Sequence, residues 1–197
     1  MIVARATKEQ SEATAARIIE VTRRQIADRG VDGLSLDDIA GAAGVTRGAV
    51  YHHYRSRQGL VAAALADAHR EVGLAVERAA ETAGDGWDGI EAGCRAFIVE
   101  SAAPGIRRLM LVDGPAVVGW EQWRAFDALH AQASLAAGLA ELQRAGELVD
   151  VDVDATAALL SGAMNEAALY VGSHPDPGAA LERIWVPLRL VLTALRR

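Results

Sequence analysis

The stretch from Leu34 to Leu60, LSLDDIAGAAGVTRGAVYHHYRSRQGL, constrains the fold more than any other part of the chain, because it confines two short helices and a sharp turn to one compact run. Ser35 stands just before an apolar-periodic segment and Asp38 follows three residues later. Hydroxyl and carboxylate can therefore serve the unpaired N–H groups of a helix start, and a helix is predicted over 36–43. Ile39, Ala40 and Ala43 supply its inward face, and the small residues among them let a second helix cross closely. Gly44 offers the positive φ that ends the first helix. Val45 can plug the corner, Thr46 can cap a second helix over 46–53, and Val50 with Tyr54 continues the buried side. Arg47, Gly48, Tyr51 and His52 are left facing outward.

That outward set suits double-stranded DNA. Arg47 can fork onto guanine or clamp a phosphate, Gly48 lets the backbone approach a sugar-phosphate chain, and Tyr51 and His52 combine hydrogen bonding with flat apolar area. The helix starts at Ser35 and Thr46 also direct partial positive charge outward, where phosphates would sit. An ordinary helical hairpin with a polar face is the competing interpretation. The joint occurrence of caps, small crossing residues and outward Arg, Tyr and His favours DNA reading.

The run from Ala16 to Leu60, a helix ending in DRG followed by LSLDDIAGAAGVTRGAVYHHYRSRQGL, resembles the DNA-binding domain of the tetracycline-repressor (TetR) family of bacterial regulators. The resemblance implies that Ser35 caps its helix and touches phosphate, that Thr46, Arg47, Gly48, Tyr51 and His52 make most DNA contacts, and that Arg57 holds a further phosphate. It also implies an all-helical homodimer that responds to a ligand. Two positions depart from the family pattern. Arg57 stands where lysine is usual, keeping charge but replacing a compact ammonium with a fork, and Leu34 stands where a hydroxyl residue is common.

Composition narrows the remaining classes. With 197 residues and 51% hydrophobic content the chain can form a small head on a larger helical body, and the division expected is 1–56 for the head and 57–197 for ligand binding and dimerisation. Cys94 is the single cysteine, which precludes an intrachain disulfide and fits a reducing cytoplasm. The start MIVARATKEQ has no cleavage-site pattern, and no apolar run is long enough to span a membrane. The net charge of −6 divides unevenly: residues 1–57 carry nine Lys or Arg against seven Asp or Glu, and the remainder carries eleven against nineteen. A head at +2 and a body at −8 would dock head first on DNA. No catalytic or metal-binding set is expected, because His52 and His53 point about 100° apart on a helix and neither an HExxH motif nor a nucleophile elbow occurs. No cofactor is implied.

A first helix is predicted from about Ala13 to Arg29, with Ile18, Ile19, Thr22 and Ile26 as its packing stripe. The ten residues before it look polar and mobile, and Arg5 and Lys8 there are at most a basic arm. A long helix from Arg57 to about Ala83 links head to body, and the GDGWDG break ends it. Helices near 90–102 and 106–112 follow, and another begins at Pro115. On that last helix Trp120, Trp123, Asp127 and His130 recur on one side, and with Cys94, Phe97, Met110 and Asn165 they are the residues expected to line a pocket for an unidentified small-molecule inducer. Core anchoring is the plainer role for the tryptophans, and Cys94 reads as a small buried hydrophobe.

The last two helices read as a dimer interface. Asp152 or Asp154 caps the first of them, whose low face carries Ala158, Gly162 and Tyr170. The second presents a stripe including Trp185, Leu188 and Leu192 that is too wide for one neighbour, and pairing with a second copy would bury it. Pro187 predicts a kink near Arg183. The function expected is a homodimeric repressor released from operator DNA by a small molecule. Alternatives are a ligand-independent regulator or activator, or a helical ligand-binding or interaction protein that does not read DNA.

Overall fold

Ile18, Thr22 and Ile26 are fully buried along one side of the first helix, and this stripe holds the N-terminal three helices together. The computed structural model describes residues 2–197, with side chains from Lys8 onward. Helix α1 spans Ile2–Arg29, so helix begins well before Ala13. The early segment is alanine-rich, and Lys8 pairs with Glu12 one turn on at 3.7 Å, both of which favour helix over a mobile arm. The Arg5 side chain lies outside the described residues. Helix α2 spans Leu36–Ala43 and α3 spans Arg47–Tyr54, both packing against α1.

Helix α4, Arg57–Ala83, starts beneath the head and continues through the body, where it packs along α5, Trp87–Ala102. Its start is fixed by Ser56, whose hydroxyl accepts from the Gly59 N–H at 2.9 Å. A four-residue turn of helix, α6 (Pro104–Arg107), runs into a π-helical stretch over Arg108–Asp113. The segment expected to form one helix from Pro115 is divided at Gly119 (φ +85°) into α7, Gly114–Val118, and α8, Trp120–Leu129. Helix α9, Ala131–Ala145, then lies against α5, α8 and α10.

Helix α10, Val153–Ser173, is capped by Asp152, which accepts from the Ala155 N–H at 2.8 Å. Helix α11, Pro177–Ala194, continues through Pro187 without a break and lies along α10 and α5. Among the described residues the one β pairing is an isolated antiparallel bridge between Leu148 and Arg196, and no helix is long and apolar enough to cross a membrane.

Candidate functional site

The turn that presents α3 is built from short-range contacts. Ser35 Oγ accepts from the Asp38 N–H at 3.2 Å and Thr46 Oγ1 accepts from the Ala49 N–H at 3.2 Å, which starts α2 at Leu36 as expected and α3 at Arg47, one residue after the expected start. Gly44 ends α2 at φ +66°, and the Val45 N–H closes onto the Ala40 carbonyl at 2.9 Å. Val50 is buried beneath α3, and the Tyr54 hydroxyl donates to the Ala15 carbonyl at 2.8 Å.

The opposite side of α3 faces solvent, with Arg47 paired to α2. Thr46, Arg47, Gly48, Tyr51 and His52 are all exposed, Tyr51 to 61%. A Cβ placed on Gly48 would meet nothing nearer than Thr46 Oγ1 at 3.7 Å, so internal packing does not require glycine there. Arg47 is held by Asp37 of α2 at 3.1 Å in a solvent-exposed pair, which a phosphate could replace at little cost. Arg55, not singled out from the sequence, joins α3 to α4 at φ +63° and is exposed. A non-glycine residue in that conformation is strained, and it places an exposed cation at the end of α3.

Arg57 turns its guanidinium onto the Val31 carbonyl. Body side chains therefore hold both sides of the α1–α2 connection, since the Val31 N–H donates to Asp113 at 3.0 Å and Arg108 Nε donates to the same carboxylate oxygen at 3.2 Å. Gly30 is needed at this joint. Its φ is +76°, and the Arg108 guanidinium occupies the place of a side chain. Arg23 of α1 also bridges Asp67 and Glu71 of α4 at 2.8 and 2.6 Å. Burial raises the Asp67 carboxyl, but hydrogen bonds and charge from Arg70 and Arg23 outweigh this and hold it below its ordinary value.

In the body, a cavity of about 660 Å³ lies between α4, α5 and α9. Of the residues expected to line a pocket, Cys94 and Phe97 do so, together with Ile90, Leu135 and Met164. Burial, and secondarily the charge of Glu91, pushes the Cys94 thiol up to about 12, so it acts as a neutral wall.

The structure does not bring the other candidates to this cavity. Trp123 is buried, its Nε1–H donating to the carbonyl of the fully buried Met110 at 2.6 Å, which makes both core anchors. Trp120 is 66% exposed and stacks on Trp123 from outside at 4.9 Å between centroids. Asp127 is buried and accepts from Arg124 at 2.9 Å and Ser161 at 2.7 Å, tying α8 to α10. His130 abuts Gly73 and belongs to a crevice between α1, α4 and α6. Asn165 is buried with neither amide atom hydrogen-bonded among the described residues, and it is not one of the residues lining the cavity.

The expected interface residues divide similarly. Trp185, Leu188 and Leu192 are buried in the chain's own core at 9%, 7% and 0% exposure, because α11 turns that side toward α5 and α10. The apolar residues left outside include Leu159, Gly162, Ala163 and Tyr170 on α10 and Val186, Leu190 and Val191 on α11, while Ala158 is half-buried.

The family model described as "Tetracyclin repressor-like, C-terminal domain" matches residues 87–195, and that of "Bacterial regulatory proteins, tetR family" matches 18–64. The chain belongs to the TetR family of bacterial regulators. A TetR-family transcriptional regulator from Pectobacterium atrosepticum is similar over 95% of this chain and 96% of its own, at 30% identity and TM-score 0.78. RolR, solved with the ligand resorcinol, shares the fold at 19% identity and TM-score 0.71 over 95% of this chain and 90% of its own. The HTH-type transcriptional regulator TtgR of Pseudomonas putida is 48% identical over 65 residues, which is 33% of this chain and 31% of TtgR. The curated relatives are thus matched over about a third of their length, and for TtgR the similarity is high over a short span. Transcriptional regulators, not enzymes, make up this family.

Proposed function

We propose that this regulator is a homodimeric repressor that reads operator DNA with α3 and is released by a small molecule entering the body cavity. Residues up to 56 act as the reading head and 57–197 as the sensing and dimerising body. The observation that carries this reading is the solvent-exposed face of α3. Arg47, Gly48, Tyr51 and His52 face solvent together, and nothing in the fold explains an in-helix glycine or an exposed tyrosine there. Thr46 and Ser35 mark the helix starts that would face phosphates, with Arg57 and Arg55 at the flank.

One head carries little surplus charge, so specific binding needs two heads in fixed relation. The exposed apolar faces of α10 and α11 supply the means. Leu159, Tyr170, Val186, Leu190 and Val191 would be buried by a second copy packed as a four-helix bundle.

Helix α4 couples the sites. Its Val76 and Ala80 line the cavity, while its first turn and Asp67 hold the head through Arg57 and Arg23. A ligand that displaces the distal half of α4 therefore shifts the head, and two shifted heads no longer match their half-sites. Gel shift on duplex selected by the wild type tests the reading face. Arg47→Ala or Tyr51→Ala should each cost roughly 1 to 3 kcal/mol per head, with helicity and dimerisation retained. Unchanged affinity in both variants would remove α3 as the reader.

A further inference from the structure

We infer that the cavity between α4, α5 and α9 selects a ligand with an apolar body and a positively charged group at its outer end. The inference rests on reading that cavity as the inducer site. Its inner wall is Ile90, Cys94, Phe97, Leu135 and Met164, which can bury an apolar body but offers no partner for an ion. Ionic groups gather at the mouth instead. Glu81, Asp85, Glu141 and Glu147 stand there against one cation among the described lining residues, Arg144, which already lies 3.7 Å from Glu141.

Backbone geometry supports the same sign independently. Helices α4 and α9 both end at this mouth, at Ala83 and Ala145, and helix C-termini carry partial negative charge. Two uncapped helix N-termini also line the cavity among the described residues: that of α9, at Ala131, lies at the far end of that helix from the mouth, and that of α5 carries Asp88 in its first turn. Glu147 reaches over the α4–α5 turn: its Oε2 lies 4.0 Å from where a Cβ on Gly86 would stand. An ammonium or amidinium held at this opening would meet several carboxylate oxygens, whereas a carboxylate ligand would find Arg144 and the start of α5 set against four carboxylates.

The strength of the preference follows from Coulomb's law. Three net rim charges, each roughly 8 Å from the ligand charge in water with about 0.1 M salt, separate a cation from an anion of the same shape by about tenfold in affinity. The probes are naphthylethylamine, naphthylethanol and naphthylacetate, titrated calorimetrically into the full-length protein. The amine should bind tightest and the acetate weakest, with a gap of about tenfold that shrinks as salt rises. Glu81→Gln combined with Glu147→Gln should narrow that gap while leaving the alcohol's affinity unchanged, and both side chains are exposed, so folding is not at stake.

Equal or tighter binding of the acetate, a gap indifferent to the double substitution, or no amine binding up to millimolar concentration would each overturn the inference. Ser134→Trp, which fills the cavity from α9, separates this from the underlying reading. If it abolishes binding of the alcohol while the charge order fails, the cavity stands and the charge preference falls. If the alcohol binds undiminished, the cavity is not the site and both fall. If the amine binds in the predicted order without weakening DNA binding, the charge preference stands and the inducer role falls.

Discussion

Gly48→Ala should make the protein more stable and a worse DNA binder. The residue is the second of α3, is exposed, and has room for a methyl group, the nearest heavy atom being Thr46 Oγ1 at 3.7 Å. Replacing glycine by alanine within a helix gains about 0.5 to 1 kcal/mol, and a position this close to the helix start should give the lower figure. For a chain of this size that is a rise in melting temperature of about 1 to 2 °C. On DNA the same methyl would separate the helix backbone from the sugar-phosphate chain. If each head loses at least about 1 kcal/mol, comparable to one modest base contact, a dimer loses about thirtyfold in affinity. Thermal melting and fluorescence anisotropy on labelled operator measure the two effects in one preparation. A higher melting temperature with unchanged DNA affinity would refute the close approach, and a lower melting temperature would show that the fold itself requires glycine.

Leu159→Glu with Leu190→Glu should produce a folded monomer with weak DNA binding, whereas Leu192→Ala should cost roughly 2 to 5 kcal/mol of monomer stability, a contrast that sedimentation and denaturant unfolding distinguish. A double variant that remains dimeric would move the interface elsewhere. Burial, with the charge of His130 as a smaller cause, lowers His69 from 6.5 to about 4, so the unfolded chain takes up a proton that the folded chain refuses as pH falls through this window. Stability should therefore decline from about pH 6.5 toward pH 4, by up to about 3 kcal/mol from this residue, and His69→Leu should flatten the decline. An unaltered pH profile in the variant would show that His69 is not its source.

The head was legible because its determinants are local. Ser35, Thr46 and Ser56 each bond an N–H three residues on, and Gly44 needs only its own φ to end α2, so sequence spacing contains the geometry. The body was less so. On α11 the set Trp185, Leu188 and Leu192 and the set Val186, Leu190 and Val191 are both apolar at helical spacing, and periodicity cannot tell which side meets the chain's own α5. Trp120 and Trp123 drew attention as large aromatics, yet a cavity is a gap among three helices, and many residues lining this one are Gly, Ala or Ser with no sequence signature of a binding wall. Helix α9, which forms one of those walls, begins just after His130 with no side-chain cap bond to announce it. Arg55 at φ +63° carries no sequence mark either, since glycine is the residue that normally flags such a corner.

Selection of bound sequences from a random duplex pool tests the central claim most directly. Two copies of α3 held in fixed relation should enrich an inverted repeat whose half-site centres lie about one helical turn, or a multiple of it, apart, and Tyr51→Ala should lose that enrichment while remaining dimeric. Recovery of no sequence above background, or of the same repeat by Tyr51→Ala, would contradict the account of a dimer that reads DNA with this face.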